Sequence, residues 1–302
     1  RCHCPGPAGG GLQRGRAMSL SPATRRALGL SPALAIFGLF FALPMAYLLV
    51  VTFWRIKRYR LTPDFTLGNY ADVFGDYLHA LGFTLAIALT IALITTALAF
   101  AIAYLIRFRS GLFGQIILLS ALATLFGGYL VKIYAWKAML GAQGSVNLLL
   151  ITLGLIDEPI SWLLYSPAAV VITLVHFMLP FALLPILAGL RGVSEAPLEA
   201  ARDLGAKPWQ ITRDIVLPQC RGSLFSAFSI AFLIPAGDYV TPRLVGGPET
   251  FMVGNFIENL FVGRMNAPMG AALAFTTLLA CGIVLVAANW LLARALTPKW
   301  GR

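Results

Sequence analysis

The chain has 302 residues, of which 59% are hydrophobic and 12% charged, with a formal net charge of +11. Its apolar residues fall in runs of about twenty, the length that crosses a bilayer, which excludes an ordinary soluble globule. A basic excess also marks nucleic-acid binders, but here the cations cluster at the ends of apolar runs, and no aromatic-studded basic groove is present. The expectation is an all-α integral membrane bundle of about six spans in a lipid bilayer, with no separate soluble domain and no nucleic-acid partner.

Residues 1–17 read as a non-native or disordered extension. Cys2, His3 and Cys4 lack a second ligand pair at zinc spacing, glycine and proline follow, and Met18 is the expected start. Residues 18–31 are expected to be a cytoplasmic segment, 32–293 the transmembrane domain and 294–302 a cytoplasmic tail. The first span covers Pro32 to Trp54 and exceeds the apolar core of a signal peptide; Pro44 predicts a kink in it. A polar, aromatic loop from Arg55 to Tyr77 leads to a second span, His79 to Ile106. Arg107-Phe108-Arg109 and a turn at Ser110-Gly111 precede a third, Phe113 to Trp136.

Lys137 to Ser166 is too long and mixed for a turn, and Leu148 to Ile156 within it is too short to span, so a re-entrant or interfacial helix is expected. The fourth span, Pro167 to Leu190, should be interrupted by Pro180 and Pro185. The fifth starts near Ser223 and meets Pro235-Ala236-Gly237-Asp238 after about a dozen residues, so it is short or broken. The last covers Pro268 to Ala293. Cys220 and Cys281 read as unpaired packing residues.

Between the fourth and fifth spans lies a polar island, Arg191 to Arg221, too charged to cross a membrane. Ser194 is placed to cap a helix, Pro197 falls in its first turn, and Glu195 and Glu199 sit near the positive end of its dipole. Gly205 after Leu204 is a C-terminal stop. A second short helix is expected from Trp209 to Val216, closed by Leu217-Pro218. Two short helices joined at a glycine form a docking knob.

Lysine and arginine placement sets the orientation. With the N-terminus in the cytoplasm, Arg14, Arg16, Arg25, Arg26, Arg107, Arg109, Arg191, Arg202, Lys207, Arg213, Arg221, Arg294, Lys299 and Arg302 lie inside, whereas Arg55, Lys57, Arg58, Arg60, Lys132, Lys137, Arg243 and Arg264 lie outside. The Arg55–Arg60 cluster runs against the trend. One reading makes it the end of a long first helix whose side chains snorkel to outer headgroups.

Glu199-Ala200-Ala201, three residues, Gly205, nine residues, Ile215, one residue and Leu217-Pro218 resembles the cytoplasmic loop signature of permease subunits of ABC importers. NLLLITLGLIDEP, the proline-containing fourth span and IPAGDYVTPRLVGG are similar to permeases of the polyamine (spermidine/putrescine) type. The resemblance covers roughly Pro32 to Trp300. It implies the type I importer fold, a coupling helix inserted into a groove on an ATPase subunit, two such ATPase subunits, a second permease subunit (homologous or identical) and a periplasmic solute-binding protein. It also implies a bacterial inner-membrane location. Relatives carrying iron, phosphate-like anions or other small organic solutes share the architecture, so the cargo stays open.

Within the loop, Glu199 is expected to pair with Arg202 or with a basic residue of the ATPase. Ala200 and Ala201 allow close approach, and Gly205 supplies a turn that a side chain would strain. Leu204, Trp209 and Ile211 are apolar residues of a supposedly aqueous loop, suited to a buried contact on a partner or to packing under the bundle. Asp238 follows Pro235 and Gly237, where the helix should unwind. Two readings stand for it: a stepping site for a cationic cargo together with Tyr239 and Glu258, or a residue that pairs with Arg243 or caps the next helix. Trp136 and Tyr134 fit either an aromatic cation contact or an interfacial belt. Asp157 and Glu158 form an acidic edge. His176 is expected to bond a carbonyl freed by Pro180. No metal site, nucleophile setting or Walker motif is present, so no catalytic residue or cofactor is assigned to this chain and ATP is assigned to a partner. A stand-alone secondary transporter would leave the helical loop without a purpose, and a membrane enzyme would lack a catalytic constellation.

Overall fold

A computed structural model describes residues 31–57, 60–108 and 111–296. Residues 1–30, Arg58, Tyr59, Arg109, Ser110 and residues 297–302, with the expectations attached to them, lie outside the described residues. The chain divides into two units at Leu48. Helix α1, Ser31–Val51, is apolar throughout. Pro44 has no N–H to offer, and a π-helical stretch, Gly38–Ala42, lies just before it.

The second unit opens with an antiparallel ribbon, β1 (Arg55–Lys57) and β2 (Arg60–Thr62), in place of the extended first helix that one reading of the basic cluster required. The ribbon forms because the first helix stops at Val51, where the Thr52 hydroxyl turns back onto the Leu49 carbonyl. Helix α2 (Gly68–Asp76) leads into α3 (Leu78–Phe108), the longest span.

The third predicted span is divided: α4 (Leu112–Leu125) and α5 (Tyr129–Leu140) are separated at Gly127-Gly128, where Gly128 adopts extended angles. The axes of α4 and of the stretch from Tyr129 to Thr152 differ by 105°. The short helix that follows, α6, covers Ser145–Thr152, starting three residues and ending four residues earlier than the apolar pattern suggests; Gly154 at φ +68° ends it. Buried Asn147 fastens this segment, donating to the Gly141 carbonyl and accepting from the Ile160 N–H at 2.9 Å.

Helix α7 (Pro167–Arg191) is continuous, so Pro180 and Pro185 do not interrupt it. Within this helix Pro180 is buried and Pro185 half-buried. The knob follows as α8 (Glu195–Asp203) and α9 (Pro208–Gln219); the chain then bends 75° into α10 (Arg221–Ala236). After π and 3₁₀ turns come α11 (Val253–Glu258) and α12 (Ala267–Ala295). Among the described residues four helices are long and apolar enough to span a membrane, or up to six if each bent pair counts as one span.

Helices α3, α7 and α10 form the core. In lipid no hydrophobic force drives helices together, so close backbone approach has to do it. Ala88, Ala92, Thr95, Ala99 and Ala103 supply a small-residue face along α3, all fully buried. Gly189 on α7 serves the same end: a Cβ there would lie 2.3 Å from the Ser223 hydroxyl oxygen at the start of α10. Gly189→Val is expected to destabilise the bundle by about 1–3 kcal/mol through overpacking. A lowered melting temperature of the purified protein, partly restored by adding Ser223→Gly, checks it.

Candidate functional site

The knob is built from the signature outward. Ser194 stands at the N-cap of α8 with extended backbone, yet its side chain makes no cap bond. The first turn is held instead by Glu195, which forms an ion pair with Arg107 at the far end of α3. Leu198 is buried in the core while Glu199 and Ala200 are exposed and Ala201 is half-buried. Among the described residues no ion pair joins Glu199 to Arg202.

At the C-terminus the Ala206 N–H reaches the Ala201 carbonyl and the Gly205 N–H the Arg202 carbonyl, both at 2.9 Å. This winding needs a left-handed residue, and Gly205 has φ +77°. A Cβ there would meet nothing within 4 Å, so only backbone strain opposes substitution. The turn presents Leu204 to solvent with 88% of its surface exposed.

The second helix begins one residue earlier than predicted, at Pro208, with the Lys207 N–H bonded to the Gln210 side chain at 2.8 Å. Leu217-Pro218 does not close it. A π-helical stretch, Thr212–Val216, absorbs the missing proline donor, and the helix continues to Gln219. Trp209 is 58% exposed, with the Arg213 guanidinium over its ring. Ile211 differs from Leu204 and Trp209: it is buried beside Leu198 and Val216, packed under the bundle. Ile215 and Leu217 are half-buried against the same cluster, so the later half of the signature, through Pro218, forms the base of the knob. The Tyr104 and Thr212 hydroxyls meet at 3.2 Å, a second tie to α3. Between them lies a cavity of about 920 Å³ lined by Tyr104, Phe108, Leu198, Trp209 and Val216.

The second site lies where α10 ends at Gly237. Asp238 is buried, and its Oδ1 accepts from the Val240 N–H at 2.9 Å and the Thr241 N–H at 3.4 Å, so it caps the next turn. Arg243 pairs with Glu258 at 3.6 Å rather than with Asp238. Among the described residues the other carboxylate oxygen, Oδ2, is buried with no hydrogen-bond partner. Tyr129, the first residue after the Gly127-Gly128 break, places its hydroxyl 2.8 Å from that of Thr241, within electrostatic reach of Asp238. The two interrupted spans therefore meet at this point. Tyr239 is exposed, and its carbonyl accepts from Asn255.

Tyr134 is exposed, and Trp136 meets the His176 ring edge-on at 5.5 Å. The expected bond from His176 to a freed carbonyl is not formed by Nδ1, which is buried without a partner. Asp157 and Glu158 are exposed. Sequence reasoning missed Arg107, Tyr104, Tyr129 and Thr241. Only Tyr129 carried a signal, the glycine pair before it.

The family described as binding-protein-dependent transport system inner membrane component matches residues 32–297. The chain belongs to this family. It is 30% identical over 236 residues to the spermidine/putrescine transport system permease protein PotB of Escherichia coli K12, covering 78% of this chain and 85% of that one. It is 30% identical over 241 residues to the inner membrane ABC transporter permease protein YdcU of the same strain, covering 74% and 75%. A shorter stretch of 127 residues is 32% identical to the permease protein PotC of Shigella flexneri, covering 42% and 47%. A bacterial ABC transporter that imports the acidic polysaccharide alginate shares the fold, with a TM-score of 0.72 at 17% identity over 90% of this chain and 97% of that one. This family member is thus a multi-pass inner-membrane transport subunit with the fold of an ABC importer permease.

The Arg107–Glu195 pair should be separable from the rest of the permease. An exposed ion pair contributes about 1 kcal/mol or less. Arg107→Glu is expected to raise hydrogen exchange in α8 several-fold while the spans stay protected, and adding Glu195→Arg should return it toward wild type.

Proposed function

We propose that this permease forms part of the translocation path of an ATP-driven importer for a polyamine such as spermidine or putrescine. The similarity to PotB along 236 residues carries the choice of cargo. In this reading the N-terminus and the knob are cytoplasmic, and a periplasmic binding protein delivers the solute to the opposite face. A second, homologous or identical permease completes the path. Two ATPase subunits bind the ATP, and this chain needs no cofactor.

The knob fits the coupling role because its contact surface and its base are different residues. Leu204, exposed on the Gly205 turn, and Trp209 supply an apolar tip, flanked by Glu199, Ala200 and Ala201. Ile211, Ile215, Leu217 and Pro218 root the knob in the bundle. Burial of one leucine and one tryptophan side chain in a partner groove is enough for a hot spot. Movement of the knob then passes to α3 through Arg107–Glu195 and Tyr104–Thr212.

Reconstitution of the permease with its ATPase and binding protein, followed by uptake of labelled spermidine, tests the proposal. Uptake should be ATP-dependent and out-competed by putrescine but not by ferric iron or phosphate; uptake of one of those instead would sink the cargo assignment. Gly205→Val forces a side chain into the left-handed region at about 1–2 kcal/mol. The variant should insert normally and lose at least tenfold in uptake and in solute-stimulated ATP hydrolysis.

Asp238 joins the path through its unpartnered Oδ2, with Tyr239 and Glu258 beside it in sequence and on the following helix. Asp238→Asn keeps an oxygen for the Val240 and Thr241 N–H groups and removes only the charge. Spermidine uptake should fall about tenfold, the equivalent of roughly 1.4 kcal/mol in the transport barrier, with the melting temperature unchanged. Wild-type uptake would leave Asp238 as a cap alone.

A further inference from the structure

The ribbon of residues 55–62 has no part in the function proposed above, and its charge opposes the usual distribution in membrane proteins. Its register decides which side chains share a face. Arg55 lies opposite Thr62, Ile56 opposite Leu61, and Lys57 opposite Arg60. Cross-strand partners point to the same side, as do alternate residues along a strand. Arg55, Lys57 and Arg60 therefore project from one face, and Ile56 and Leu61 from the other. Asp64 compensates Lys57. Among the described residues no ion pair engages Arg55 or Arg60.

This face is held in place. Buried Asn69 donates to the carbonyls of Thr52 and Trp54 at 2.7 and 2.8 Å, and the Tyr70 hydroxyl meets that of Thr52 at 3.0 Å. The Thr66 N–H bonds to the Phe53 carbonyl at 2.9 Å, closing the ribbon's base. It also lies at the end of the bundle away from the knob, because α3 starts on this side at Leu78 and reaches Glu195 only at Arg107, roughly 45 Å along the helix.

We infer that the Arg55–Lys57–Arg60 face docks a carboxylate-rich surface of the solute-binding protein. The inference rests on the importer reading. Arg55, Lys57 and Arg60 are exposed, while on the opposite face Ile56 is half-buried and Leu61 is exposed. Charge complementarity follows from the cargo. A protein that selects a polycation needs carboxylates around its mouth, and a cationic ribbon attracts that mouth while repelling the free polycation. Only delivered solute then reaches the permease efficiently. Opposed charge of this kind acts chiefly on encounter rate and register, so its effect is greatest at low salt.

The test uses the assembled permease–ATPase complex in nanodiscs of phosphatidylcholine alone or with phosphatidylglycerol, titrated with the system's own binding protein without polyamine. Arg55→Glu with Arg60→Glu should weaken binding at least tenfold at low ionic strength in both lipids, and lysine reversals on the binding protein should restore part of it. If the reversed form fails to fold, the Arg55→Gln, Arg60→Gln pair carries the test, with about threefold weakening expected. Wild-type affinity in the folded variants would overturn the docking site. So would a loss confined to phosphatidylglycerol discs, which would make the ribbon a lipid contact. With no cargo present the titration reads docking alone, and the uptake assay reads the cargo separately.

Discussion

A backbone N–H or C=O facing hydrocarbon has no water to turn to, and this constraint decides most of the architecture. Helices satisfy it along their length, so any interruption has to sit where protein supplies the missing partners. The Gly127-Gly128 and Gly237-Asp238 interruptions obey this together. Tyr129 from one and Thr241 from the other are joined by their hydroxyls, and Asp238 accepts the N–H groups freed after the second. A side-chain bond thus ties the two breaks together. Helix α7 stays whole despite two prolines, packed against α3 and α10.

Small residues carry the packing that results. The alanine face of α3 and the Gly189–Ser223 approach bring backbones close without large side chains between them. At the knob the composition changes. Leu198, Ile211 and Val216 extend the core of the long spans into the knob, and polar ties hold it to the end of α3. Motion of the knob cannot be a local affair when its underside shares a core with three spans.

Apolar runs made the long spans legible, because a twenty-residue apolar stretch has few other uses. The knob was legible too, since Gly205 states its backbone conformation and Ser194 its helix start. What failed was local. Prolines 180, 185 and 218 signal breaks in isolation, and only tertiary enclosure or a π-helical stretch reveals otherwise. Ile211 looks like Leu204 in a sequence; which of the two is exposed depends on the 75° bend after Gln219. Partners such as Arg107 and Glu195 are 88 residues apart and carry no mutual pattern. The role of Asp238 as a cap was one of two readings, and the N–H geometry after Gly237 supports it without accounting for Oδ2.

The unbroken helix α7 has a mechanical side. Its first residues follow Tyr165, whose N–H is tied to the Val245 carbonyl in the segment after Asp238, and its last residue, Arg191, adjoins the knob. A helix of this size is a rod roughly 37 Å long. A tilt of about 5° about one end would carry the other roughly 3 Å, on the scale of the helix shifts by which proteins switch states. The two prolines, each lacking a hydrogen bond, make the middle of the rod its most compliant part. A single lever thus connects the buried carboxylate to the knob, with its built-in give placed between them.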